Sequence, residues 1–159
     1  SNAEGAVRVE SRGEVLNQFL VEVFGQILKA EAACLAGKDL SLRELHLIDA
    51  LCQAVDQGGD NRSTAIAAAL GITAGTLTSA VNLLEKKGYL LRRRDERDKR
   101  VVHLLPTERG RAADARHRDF HRQMVAHVLD GLTDEEAECT LRALGRVAEF
   151  FRRGAPERG

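Results

Sequence analysis

Residues 90–102 read LLRRRDERDKRVV, with six cations (Arg92, Arg93, Arg94, Arg97, Lys99 and Arg100) and three carboxylates set between aliphatic ends. Cations at this density suit a polyanion, because they displace the counterions condensed on a line of phosphates. Arginine also fits a narrow minor groove, where the potential is most negative. A carboxylate among such cations can hold a guanidinium in one pose through a charge-assisted hydrogen bond. Asp98 is therefore expected to orient a neighbouring arginine.

A second candidate set lies just upstream. With Leu77 at the centre of the buried face of a helix over 74–87, 100° steps place Ala80, Val81 and Leu84 beside it. The opposite face carries Gly75, Thr76, Ser79, Asn82 and Lys86, with Thr78 on the flank and Leu83 as its single apolar residue. Hydroxyls, an amide and a terminal cation on one face suit base edges in a major groove. The charge distribution agrees. Residues 1–60 hold 5 Lys/Arg against 10 Asp/Glu, residues 61–122 hold 14 against 7, and residues 123–159 hold 5 against 7. A chain of zero net charge thus has a basic middle between acidic ends, which points to a polyanion reader on a different kind of scaffold.

The elements that must position these residues follow from periodicity and punctuation. Leu16, Phe19, Leu20, Val23, Phe24, Ile27 and Leu28 recur at helical steps between Glu14 and Leu35, and Gly37 closes that helix. Ser41-Leu42-Arg43-Glu44 is a capping box opening a second helix with Leu45, Ile48, Cys52 and Val55 inward, and Gly58-Gly59 ends it. Ser63 to Leu70 is a short helix stopped by Gly71, and Thr73 caps the next, so the pair reads as a helix-turn-helix. Tyr89–Arg94 and Lys99–Leu105 are β-capable runs joined by residues 95–98, a hairpin directly after the recognition helix, which is a wing. Thr107 caps a long helix to about Asp130, and Thr133-Asp134-Glu135-Glu136 is a second capping box, opening a last helix with Leu141, Leu144, Ala148 and Phe151 in one stripe.

The fold expected is therefore mainly α with a small β-hairpin wing, a winged helix-turn-helix with long N- and C-terminal dimerisation helices. Ser1-Asn2-Ala3 has the look of an expression-tag remnant. Residues 4–153 are expected to form a single domain, with 41–105 the winged-helix lobe, 14–36 and 107–153 the dimerisation helices, and 154–159 a disordered tail. The outer helices carry more apolar stripe than the central lobe needs. They are assigned to a homodimer reading a palindromic operator with half-sites about one helical turn apart.

Other chemistries find less support. Cys34, Cys52 and Cys139 are odd in number and lack C-x-x-C spacing, so neither a disulfide framework nor a zinc ribbon is indicated. His117 and His121 stand at i, i+4 and suggest a metal, with Glu44, His46 and His103 as added ligands, while Cys34 is the thiol to consider for oxidant sensing. No nucleophile elbow, phosphate loop or metalloprotease helix is present, so no enzyme is expected and no cofactor is assigned. No apolar run approaches the ~18 residues of a membrane span, and a cytoplasmic protein without membrane contact is expected.

The run GTLTSAVNLLEKKGYLLRRRDERDKRVVHLLPTERG resembles the MarR family of winged helix-turn-helix regulators, dimeric bacterial transcription factors. L-E-K-K-G-Y, D-x-x-D-K-R and T-x-x-G carry the likeness, which extends over roughly residues 14–152. Within the family the chain looks most like the FabT-type group, repressors of fatty-acid synthesis genes with long-chain acyl-acyl carrier protein as corepressor. The residues pointing there are Glu44, His46, G-T-L-T at 75–78, R-V-V-H-L at 100–104 and F-H-R-Q-M-V at 120–125. The resemblance implies that Thr64, Thr76, Thr78, Ser79, Asn82, Lys86, Arg94, Arg97, Lys99 and Arg100 contact double-stranded DNA, with Asp98 as the wing aspartate. It implies an effector pocket including Phe24, Leu28, His46, Phe120 and Met124. Pro106 departs from the family pattern and is expected to shorten the second strand, and Ala74 removes a side-chain contact. A regulator answering to another small ligand, a metal or an oxidant is the alternative, and a winged helix that binds only protein is the alternative class.

Overall fold

A computed structural model describes the backbone of residues 2–35 and 38–153, with side chains from residue 11 onward. Six helices and one hairpin follow in order: α1 (Asn2–Cys34), α2 (Leu42–Asp56), α3 (Ser63–Leu70), α4 (Ala74–Lys86), β1 (Leu90–Arg94), β2 (Val102–Pro106), α5 (Glu108–Asp130) and α6 (Asp134–Arg152). They fall into two compact units, Ser1–Arg118 and Asp119–Gly159, where the sequence suggests a single domain. The division passes through α5, whose helix is continuous across it.

The first unit holds the core. Leu45, Ile48 and Leu51 of α2, Ile66 of α3, Leu77, Val81 and Leu84 of α4, Leu90 of β1 and Leu104 of β2 are buried together with Tyr89 and Ala113. Each fully buried aliphatic stabilises by roughly 1.5–3 kcal/mol, enough to hold three short helices and a two-stranded sheet that would be marginal alone.

Local signals set the boundaries. Ser41 accepts from the Glu44 N–H while the Glu44 side chain accepts from the Ser41 N–H, so the predicted capping box forms. Thr133 and Glu136 do the same for α6. Gly71 stops α3 at φ 63°, a left-handed conformation that costs an L side chain energy. The axes of α3 and α4 turn by 110° at this break, within the range of a helix-turn-helix.

Three expectations are corrected. Helix α1 starts at Asn2 rather than near Glu14, because nothing between residues 2 and 13 breaks a helix although the apolar stripe begins later. The second strand is Val102–Pro106, not Lys99–Leu105, and the connection spans 95–101, because turn hydrogen bonds take up residues 95–101 before pairing begins. Pro106 does not shorten the strand: it is the last paired residue, opposite Leu90, where a missing N–H costs no ladder bond. Gly37 and the tail from Gly154 lie outside the described residues.

Exposed apolar faces remain among the described residues. On α1 of the first unit, Leu16, Phe19 and Phe24 are more than half exposed. In the second unit α6 has no buried residue, and Leu141, Leu144 and Phe151 are open to solvent.

Candidate nucleic-acid interface

Helix α4 presents the face its sequence predicts. Leu77, Val81 and Leu84 are buried and Ala80 is half-buried, while Gly75, Thr76, Thr78, Ser79, Asn82, Leu83 and Lys86 are exposed. The hydroxyls are partly committed. Thr78 Oγ1 donates to Ala74 O at 2.8 Å and Ser79 Oγ to Gly75 O at 3.2 Å, so each turns its acceptor side outward. Thr76 shares a hydroxyl bond of 2.9 Å with Thr73, which caps α4 by accepting the Thr76 N–H.

The helix is braced at and just beyond its C-terminal end. Glu44, buried at the start of α2, accepts from Lys87 Nζ at 2.8 Å, tying the end of α4 to α2. Burial raises the Glu44 pKa, but the Lys87 and Ser41 bonds outweigh it and the carboxyl lies below its usual range. Downstream, Tyr89 donates its hydroxyl to Asp39 at 2.7 Å, and the Arg109 guanidinium lies 4.3 Å over the Tyr89 ring while bonding the same Asp39 at 3.1 Å. Gly110 lets α5 approach here: a Cβ at that position would stand 2.1 Å from Tyr89 O.

The wing pairs β1 with β2 in antiparallel register, Arg92 opposite Leu104 and Arg94 opposite Val102. Its tip is organised by Asp95. One carboxylate oxygen accepts the backbone N–H groups of Arg97 (2.8 Å) and Asp98 (3.0 Å), and the other meets His103 Nε2 at 3.0 Å. These bonds, that from the Asp98 N–H first, then His103 and the Arg97 N–H, hold the Asp95 pKa down to about 2. His103 Nδ1 in turn meets Asn61 Oδ1 at 2.9 Å, and Asn61 also donates to Leu104 O, so the wing is fastened to the start of α3.

The role expected of Asp98 is altered. Its carboxylate accepts the backbone N–H of Arg100 at 3.0 Å instead of a guanidinium, because the tight turn places that N–H in reach while the Arg100 side chain is exposed to solvent. Asp98 thus sets the backbone under Arg100.

A cleft of about 510 Å³ between α4 and the wing gathers Thr64, Thr78, Asn82, Arg92 and Arg100 along its walls. Lys86 of α4 and Arg94, Arg97 and Lys99 of the wing are exposed but do not line it. Among the described residues, Arg94, Arg97, Lys99 and Arg100 form no side-chain ion pair. Arg92 differs from them: it is half-buried and bonded to Glu85 at 2.5 Å. The sequence alone marked neither this pairing nor the Asn61–His103–Asp95 chain, although an Asp two and three residues before backbone donors is a readable turn signal.

The candidate effector residues are more dispersed. Phe24 and Leu28 are exposed on α1, while His46 lies with its ring 5.7 Å from that of His117 and its Nε2 3.7 Å from Glu31. In the second unit Phe120 meets the His121 ring edge-on at 5.2 Å and Met124 is half-buried. Of the ligands considered for a metal, Glu44 is committed to Ser41 and Lys87, and His103 to Asn61 and Asp95. Cys34 is exposed; burial pushes the Cys52 thiol up to about 12.

A family model described as the MarR family matches residues 42–102, the stretch from α2 to the start of β2. The chain is also 34% identical to Streptococcus pneumoniae FabT, solved in complex with DNA, over 88% of this chain and 97% of that one, with a TM-score of 0.78. The chain belongs to the MarR family. The Staphylococcus aureus MepR–DNA complex, at 19% identity, 83% and 94% coverage and a TM-score of 0.65, shares the MarR fold. Among curated relatives, the HTH-type transcriptional regulator YwhA of Bacillus subtilis is 31% identical over 72 residues, 45% of this chain and 52% of that protein. The chain spans about half the length of the curated relatives it matches.

Proposed function

We propose that this MarR-family protein is a homodimeric, sequence-specific DNA-binding transcriptional regulator of the FabT type, repressing fatty-acid synthesis genes with acyl-acyl carrier protein as corepressor. The observation that carries DNA reading is the cleft in which the polar face of α4 and Arg100 of the wing meet, on two elements that also expose Lys86, Arg94, Arg97 and Lys99. It matches what a duplex offers, base edges in a major groove beside a phosphate line and an adjoining minor groove. The 34% identity to a FabT seen on DNA supports the subgroup. The exposed apolar faces of α1 and α6 are what two copies would cover. These groups suit a binder rather than an enzyme.

A corepressor acts by favouring the dimer whose recognition helices have operator spacing, so its effect equals its differential affinity for that state. The deciding experiment is operator binding with and without acyl-acyl carrier protein bearing chains of different length. Tighter binding with long chains supports the reading, and unchanged affinity at every length removes the corepressor. A salt titration tests the coarser level: affinity that does not fall with salt sinks DNA reading.

A metal-responsive regulator is the second reading, favoured by one cluster: Asp49, Asp114 and His117 offer ligand atoms within 4.8 Å of one another. Against it, Arg118 Nε already bonds Asp114 at 2.8 Å. Operator binding that responds to zinc and not to acyl chains would favour it.

A further inference from the structure

Arg92 is counted by its sequence among the wing cations that face phosphate, yet the fold withdraws it. Its Nη1 donates to Glu85 Oε2 at 2.5 Å, and its backbone N–H donates to Glu85 Oε1 at 3.2 Å. Its Nη2 donates to the side-chain oxygen of Asn82. Glu85 neutralises the guanidinium, and the side chain is only 29% exposed. Arg92 therefore bridges the wing to the middle of the recognition helix.

The consequence lies in Asn82. A guanidinium has five donors and no acceptor, so the amide atom that meets it must be the oxygen. This fixes the orientation of the amide without reference to how its two ends are distinguished. The oxygen is turned toward Arg92, and the NH₂ group is what Asn82 offers away from it. An unconstrained asparagine reads adenine by a bidentate contact, accepting from N6 and donating to N7. Asn82 held by Arg92 has one lone pair of that oxygen left and an amide whose plane and direction Arg92 sets, so the pair with adenine is disfavoured. It presents two donors, which match the adjacent N7 and O6 acceptors of guanine, whereas adenine would set its own N6 donor against them.

We propose that Arg92 is a specificity-determining positioning residue: by capturing the Asn82 amide oxygen it converts that position from an adenine reader into a guanine reader. This rests on the DNA-reading function proposed above. Arg92 acts through Asn82 and Glu85 and makes no phosphate contact of its own.

The test is selection from randomised duplexes by the wild-type dimer, by Asn82→Ala and by Arg92→Leu, which keeps the aliphatic bulk and removes the donors. Asn82→Ala identifies the base pair under Asn82 as the one whose preference is lost. At that pair the wild type selects guanine, and Arg92→Leu relaxes or reverses the choice toward adenine, a change of about tenfold in relative affinity. The slope of affinity against salt stays as in wild type. As a check that needs no variant of Arg92, 7-deazaguanine at that pair weakens wild-type binding severalfold while inosine, altered only in the minor groove, does not. Unchanged selection by Arg92→Leu, a uniform loss of affinity with a shallower salt slope, or indifference to 7-deazaguanine overturns the proposal while leaving DNA reading intact. A wild-type protein that selects no sequence overturns both.

Discussion

Asp95 and His103 face each other near the tip of the wing, carboxylate oxygen to ring nitrogen at 3.0 Å, and between them they join the tip of the hairpin to Asn61 before α3. Arg97 and Lys99 project from a loop whose backbone this carboxylate holds at Arg97 and Asp98, while Asp98 holds it at Arg100. A loop held in its binding pose gives up less entropy when it meets DNA. Asp95→Ala is expected to weaken operator binding roughly threefold to tenfold, with helical circular dichroism unchanged. Because the Asp95 pKa is lowered, its contribution is complete above the ordinary carboxylate range and is lost as pH falls toward about 2, so the deficit of the variant should be constant from pH 6 to 8. Affinity equal to wild type would show that the turn is held by other means.

Arg100 is exposed at the mouth of the cleft, over a backbone set by Asp98. Arg100→Ala should lower affinity and reduce the slope of log affinity against log salt by about 1 for each phosphate it no longer neutralises, with oligomeric state unchanged by light scattering. Asp98→Ala should lower affinity without changing the slope, since it removes a backbone bond and no cation. Equal slope changes in both variants would contradict this division.

Glu44 and Lys87 form an ion pair that is largely withdrawn from solvent and joins α2 to the end of the recognition helix. Removing one partner leaves a charge without compensation, so Lys87→Met is expected to cost about 2 kcal/mol in urea unfolding. The Glu44 pKa is lowered, so the pair stabilises above the ordinary glutamate range and its contribution fades as pH falls below it. The gap between wild type and Lys87→Met should accordingly narrow toward pH 3. A gap that widens on acidification would mean the carboxylate is not the stabilised form.

Gly110 offers a purely steric test. An added Cβ would overlap Tyr89 O, a backbone atom that moves only if the wing base shifts from α5. Gly110→Ala should lower stability by about 1–3 kcal/mol despite the better helix propensity of alanine. A thermal midpoint at or above that of wild type would show that the overlap relaxes freely.

These residues also show where sequence reading stops. The caps at Ser41 and Thr133 and the polar face of α4 are local, decided by three- and four-residue spacings, and each forms as its pattern requires. Arg92 and the link from Asp95 through His103 to Asn61 are decided by partners that local spacing does not expose. Arg92 meets Asn82 ten residues back on another element, and His103 meets Asn61 across 42 residues. Charge density alone places all six wing cations in one class, and only the fold separates the paired Arg92 from the open Arg100. The effector residues stay least legible, since an apolar stripe reads the same for a core, a tunnel or a subunit interface.

Asp114 gives the last prediction. It is buried on α5, with Arg118 on one oxygen and the Asp49 carboxylate beside it. Burial first, then the neighbouring Asp49, push its pKa up to about 6 from an ordinary value of 3.8. The sign is opposite to that at Glu44. Between those two values the folded chain holds a proton that the unfolded chain has released, so this site makes stability fall as pH rises through the window and adds no further change above it. Other carboxylates with lowered values act the other way, so the total curve hides the effect. Asp114→Asn exposes it by difference: urea unfolding at fixed protein concentration should show wild type losing stability relative to the variant between pH 4 and pH 7. Parallel curves would mean that Arg118 compensates the charge in full and that Asp114 is ionised throughout.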